Sequence, residues 1–104
     1  LNDANKYYYL LLAQIYERKQ DFSEATKIYL TLLKKMPHLS EHYYDLAAVY
    51  LFQGKYDDAI KCYDKIEKNF GMSEEVTRQK QQIFLKQGKL NDAINEGKKL
   101  CEAY

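Results

Sequence analysis

Apolar residues recur along this chain at helical spacing, and no stretch alternates apolar with polar residues as a strand would. Tyr9, Leu12, Ala13 and Tyr16 follow an i, i+3, i+4, i+7 pattern, and Tyr43, Leu46, Ala47 and Tyr50 follow it again. A second series, Phe22, Ala25, Tyr29 and Leu32, is matched by Tyr56, Ala59, Tyr63 and Ile66. Each series draws one apolar stripe along a helix, and that stripe must be buried against a neighbour. The pattern predicts six helices, at about 7–19, 22–36, 40–53, 56–69, 73–87 and 90–103.

The stripes also share one period. A shift of 34 residues lays Tyr9 over Tyr43, Leu12 over Leu46, Ala13 over Ala47, and Tyr16 over Tyr50 and Phe84. Phe22 falls over Tyr56 and Leu90, Ala25 over Ala59 and Ala93, Tyr29 over Tyr63, and Leu32 over Ile66 and Leu100. A fixed period of this length marks stacked units that bury one another's faces. The expected architecture is all-α: one domain, 1–104, with units at 6–39, 40–73 and 74–104. Ala13, Ala25, Ala47, Ala59 and Ala93 are the small residues that let paired helices cross closely.

Turn chemistry separates the helices where the periodicity breaks. Gly54 and Gly88 share a column just after a helix, where a left-handed residue ends it at little cost. Gln20 stands in the same column, so the same left-handed backbone is expected there. Asp21 precedes Phe22 and has Glu24 three residues on, an N-cap with a capping-box partner. Pro37 closes the first unit because it cannot continue a helix. Asp57 and Asp58 open the fourth helix and Lys65 and Lys68 close it, as the helix dipole favours.

These columns resemble the tetratricopeptide repeat, whose pattern runs W-x2-L-G-x2-Y, then A-x3-F, then P. The first unit offers Tyr9, Leu12, Ala13, Tyr16, Ala25, Tyr29 and Pro37. The second offers Tyr43, Leu46, Ala47, Tyr50, Ala59 and Tyr63, with Gly71 in place of proline. The resemblance implies a right-handed superhelix of three antiparallel helix pairs, an alpha solenoid. It also implies a protein-interaction scaffold, in which the first helix of each pair lines a concave groove for a peptide or partner helix. By resemblance, the groove-facing residues are Tyr7, Leu10, Gln14 and Glu17 in the first unit. In the second they are Glu41, Tyr44, Ala48, Leu51 and Phe52, and in the third Glu75, Arg78, Gln82 and Leu85. Co-chaperone members hold a terminal carboxylate with lysine, arginine and asparagine. The matching residues here are Leu10, Gln14, Asp45, Glu75 and Gln79, and the two acids would repel such a ligand. The run from Ile66 to Val76 is similar to repeat arrays of bacterial envelope proteins, which implies an exported bacterial protein.

The third unit departs from the pattern, with Thr77, Lys80, Gln81 and Gly97 in columns that are aromatic, leucine, alanine and tyrosine elsewhere. Looser packing is expected there, with Lys80 carrying its ammonium out to water along a buried stem. In the first unit Tyr8, Leu11 and Ile15 face no preceding unit, and self-association through this end is expected.

Composition changes the picture mainly by exclusion. Sixteen basic against fifteen acidic residues give a net charge of +1, without the basic excess that phosphate binding calls for. The longest apolar run, Tyr7–Ala13, falls far short of the ~20 residues of a membrane-spanning helix. The chain opens at Leu1 and stops within a helical pattern at Tyr104, and reads as a piece of a longer protein. Cys62 and Cys101 have no metal-ligand spacing and read as packing thiols. His38 and His42 read as solvent-exposed residues between units rather than zinc ligands, having no third ligand nearby. No phosphate loop, nucleophile elbow or carboxylate pair points to catalysis or to a cofactor. Lys27, Lys34, Lys61, Lys65, Lys98 and Lys99 lie on second helices among Asp57, Asp58 and Asp64, a solvated outer face. Two other functions fit the same pattern: a structural spacer within a larger protein, and an accessory domain of an enzyme whose chemistry lies elsewhere.

Overall fold

The computed structural model of the protein describes residues 3–104, so Leu1 and Asn2 lie outside the description. Six helices follow in order: α1 (Asp3–Arg18), α2 (Phe22–Lys35), α3 (Tyr43–Phe52), α4 (Tyr56–Phe70), α5 (Glu74–Lys86) and α6 (Leu90–Ala103). The chain is 83% helical, with no strand among the described residues. Two boundaries differ from the expected ones by more than one residue. The first helix starts at Asp3, through polar residues that carry no stripe to announce it. Ser40–His42 forms a separate 3-10 turn before α3.

Each helix packs on the next. The pairs α1–α2, α3–α4 and α5–α6 stack by laying α3 on α2 and α5 on α4. The alanine columns occupy the crossings: Ala13, Ala25, Ala47 and Ala59 are fully buried and Ala93 nearly so. Leu46, Val49, Ile66 and Val76 fill the space between pairs, while Leu32, Met36 and Leu39 close a smaller cluster against Tyr9 and Leu10.

The three turns within pairs are the same turn. Gln20, Gly54 and Gly88 have φ of 61°, 72° and 74°. The residue after each donates its N–H to an equivalent carbonyl: Asp21 to Tyr16 and Lys55 to Tyr50, both at 2.9 Å, and Lys89 to Phe84 at 2.8 Å. A side chain at positive φ costs about 1 kcal/mol that glycine does not. Gln20→Gly should therefore raise the melting temperature, read by circular dichroism. A fall would mean that the Gln20 side chain supplies a contact worth more than the strain. The Asp21 cap forms, accepting from the Glu24 N–H at 3.3 Å, but the Glu24 carboxylate turns to Lys27 at 3.3 Å.

Neighbouring pairs are also fastened at these turns. Gln53 donates to Thr26 Oγ1 at 2.8 Å, and Gln87, one period later, donates to Asp57 Oδ1 at 3.1 Å.

Four sequence readings require correction. Lys80 does not reach water: its side chain is 4% exposed and its ammonium is held by Asp64, Glu67 and Glu96. The third pair is not simply thinned, because Gln81 replaces alanine where Gly97 replaces tyrosine. Its amide fills the vacated space, within 3.0 Å of where a Cβ on Gly97 would lie, and donates to the Ala93 carbonyl. Cys62 is buried as expected, but Cys101 is exposed. His42 is largely buried and bonded through Nδ1 to Asp45 at 2.9 Å, whereas His38 is exposed.

Candidate peptide-binding face

Helical spacing places the residues expected to face a groove in a row on each first helix, because side chains three and four apart share a face. On α1 the row is Tyr7, Leu10, Gln14 and Glu17. Tyr7 is exposed, Leu10 is half-buried against the core, and Gln14 is exposed. Glu17 is not free, since its carboxylate accepts the Tyr29 hydroxyl at 2.7 Å. Burial, followed by the Glu17 carboxylate, pushes the Tyr29 hydroxyl well above its usual range, so it remains a donor.

On the second unit, Glu41 lies in the 3-10 turn, exposed and 3.8 Å from His42 Nε2. Tyr44 is 39% exposed and sets its ring edge-on against Tyr63, with centroids 6.1 Å apart. Ala48 and Leu51 are half-buried in the same row. Phe52 is 69% exposed, but its ring stacks on Phe22 at 5.1 Å, at the start of α2.

On α5, Arg78 is tied to Glu74 at 2.8 Å and lies 3.7 Å from Glu75, both carboxylates well exposed. Such surface pairs contribute less than about 1 kcal/mol, so Arg78 can exchange them for a ligand. Glu75 also accepts from Gln79 at 3.3 Å. Gln82 and Leu85 are exposed. Leu51 and Gln82 line one small cleft between α3 and α5, together with Tyr56 and Ile83.

Beyond this face, the described residues hold one group of carboxylates close enough to share an ion, Asp64, Glu67 and Glu96. The cation among them is the protein's own Lys80. In the sequence Asp64 stands among the lysines of a solvated outer face, which conceals this group. Its signal was present in the period itself, since all four charges stand in columns that are apolar or cysteine one unit earlier. On the opposite end surfaces, Tyr8, Leu11 and Ile15 of α1 are exposed, as are Leu90 and Ile94 of α6. No described helix is long and apolar enough to cross a membrane.

Stacked antiparallel helix pairs with a shared turn in each define a helical-repeat protein. Tetratricopeptide-repeat family models match residues 9–41 and 41–68, more than half of the chain between them. The chain belongs to the tetratricopeptide-repeat family. Repeats of this family are generally protein-interaction modules, and the fold is the helical-repeat superhelix they form. No curated protein matches the chain.

Proposed function

We propose that this protein is a binding scaffold whose concave face, formed by α1, α3 and α5, holds a peptide or a partner helix. One observation carries the reading: Tyr7 and Tyr44 remain exposed, and Leu10 and Leu51 half-buried, in equivalent rows of successive first helices. Aromatic and aliphatic anchors with a polar rim are what interfaces use to concentrate energy. Gln14, Gln82 and Arg78 supply hydrogen-bond donors along the row, and Glu41 and Glu75 set its charge. Those acids favour a partner with basic flanks and act chiefly on association rate, with a salt dependence. Phe52, stacked on Phe22, adds an aromatic edge on the turn side. The exposed Tyr8, Leu11 and Ile15 support self-association through the first pair, which sedimentation at rising concentration would reveal as a growing mass.

The test of the groove is substitution at its centre. Tyr44→Ala should weaken binding of the natural partner by about 2 kcal/mol or more, measured by calorimetry. The contact with Tyr63 means that it should also lower stability by about 1 kcal/mol, so binding is measured well below the melting temperature. Lys61→Ala and Lys65→Ala, on exposed positions of α4, should leave affinity unchanged. Loss of binding with the lysines, and none with Tyr44, would assign the contact to the outer face.

A further inference from the structure

The two seams between helix pairs occupy the same columns but differ in chemistry. At the first, Leu30, Leu46 and Cys62 line one furrow, with Asp58, Lys61 and Lys65 of α4 also along it, and Leu33 packs into the adjoining core. Adding one period to Leu30, Leu33, Leu46 and Cys62 gives Asp64, Glu67, Lys80 and Glu96. These four meet at the second seam. The Lys80 ammonium lies 2.7 Å from Asp64 and 2.9 Å from Glu67 of α4, and contacts Glu96 of α6. Lys99 adds a second cation to Glu96 at 3.1 Å. The seam opens into a furrow of ≈ 420 Å³ with Asp92, Lys98 and Glu102 on its α6 side.

The fastening at the turns follows the same division. Gln53 ties the first seam through the neutral Thr26 hydroxyl, whereas Gln87 ties the second through the Asp57 carboxylate, with Lys89 3.7 Å away. Glu17, His42 and Asp45 lie near the first seam but pair within their own units, Glu17 with Tyr29 and His42 with Asp45. Among the described residues no ion pair joins α2 to α3. The contact of α5 with α4 is also smaller than that of α3 with α2.

We propose that the seam between the second and third helix pairs is an acid-sensitive hinge, at which α5–α6 separates from α1–α4 when the carboxylates around Lys80 are protonated. A buried ammonium is tolerated only while anions face it, and removing them leaves an uncompensated buried charge. An apolar seam has no such requirement. Burial works against the charged form of both Lys80 and Glu96. For the lysine the bonds to Asp64, Glu96 and Glu67 outweigh it, and for the glutamate the bonds from Lys80 and Lys99 do, raising the first and lowering the second from their ordinary values. With the carboxylate lowered, the seam is stable above the usual carboxylate range and loses stability as pH falls through the folded value.

The test is amide hydrogen exchange on the whole chain, expressed as protection factors, from neutral pH to about pH 3.5. Protection in α5 and α6 should fall by about tenfold or more relative to α1–α4. Lys80→Met should reverse the direction. Three carboxylates within 4.8 Å of one another then face mainly Lys99, and mild acid relieves their repulsion, so protection of α5–α6 rises as pH falls. If that variant does not order α5–α6 at any pH, a second one decides. It carries the first seam's residues: Asp64→Leu, Glu67→Leu, Lys80→Leu and Glu96→Cys. It should lose the preferential acid response. Uniform loss of protection across all six helices, an unreversed response in Lys80→Met, or a preferential response retained in the four-site variant would each overturn the hinge.

Discussion

Leu46→Ala should lower the stability of the protein by about 3 kcal/mol, whereas Leu12→Ala, in the same repeat column, should cost roughly half as much. Leu46 is 1% exposed and sits among α2, α3 and α4, so its truncation leaves a cavity that the surrounding helices cannot close. Leu12 is only half-buried, because α1 has a neighbour on one side only in this structure. The difference isolates what stacking contributes. Helix pairs of this size cannot bury their own stripes, and nearest-neighbour contact supplies most of what holds them. Urea unfolding followed by circular dichroism gives both values. Equal losses would mean that each pair is held by its internal contacts and that the seams add little.

The fold was legible because periodicity and turn chemistry point to the same structure. One shift of 34 residues aligns the stripes, the crossing alanines and the turn column. The turn column assigned a left-handed backbone to Gln20 although glutamine has no preference for it. Its neighbours in the array specify the turn, and the residue accepts the strain. Charged and surface aromatic side chains were less legible, because their environment depends on partners that no local pattern names. Lys80 in a leucine column read as a lysine extending to solvent, since the carboxylates that hold it lie on α4 and α6. Compared across the period, the columns do carry that information: one lysine and three carboxylates stand where the preceding unit has three leucines and a cysteine. Tyr44 and Phe52 show the same limit on the candidate face. Helical spacing sets the direction in which each leaves its helix. Tyr63 and Phe22 then decide how much of each ring remains for a partner.

Glu96→Ala should cost about 2–3 kcal/mol at neutral pH, and the cost should fade in acid. Its side chain is 5% exposed and contacts both Lys80 and Lys99, so truncation removes two charge-assisted bonds and opens space beside a buried ammonium. Asp64 and Glu67 remain on Lys80, which keeps the loss below that of stripping the lysine of all its partners. Burial raises the Glu96 carboxyl, but the bonds from Lys80 and Lys99 prevail and hold it below the usual carboxylate range. A lowered carboxyl contributes stability that is present above its unfolded value, about 4.3, and is lost as pH falls through the folded one. The gap between the native protein and Glu96→Ala should thus be widest near neutrality and narrow below about pH 4. Glu96→Gln, which keeps the shape and loses the charge, should follow the same pH profile. Urea midpoints at the two pH values measure the gap. A gap of constant size would show that Glu96 stabilises the seam by packing alone.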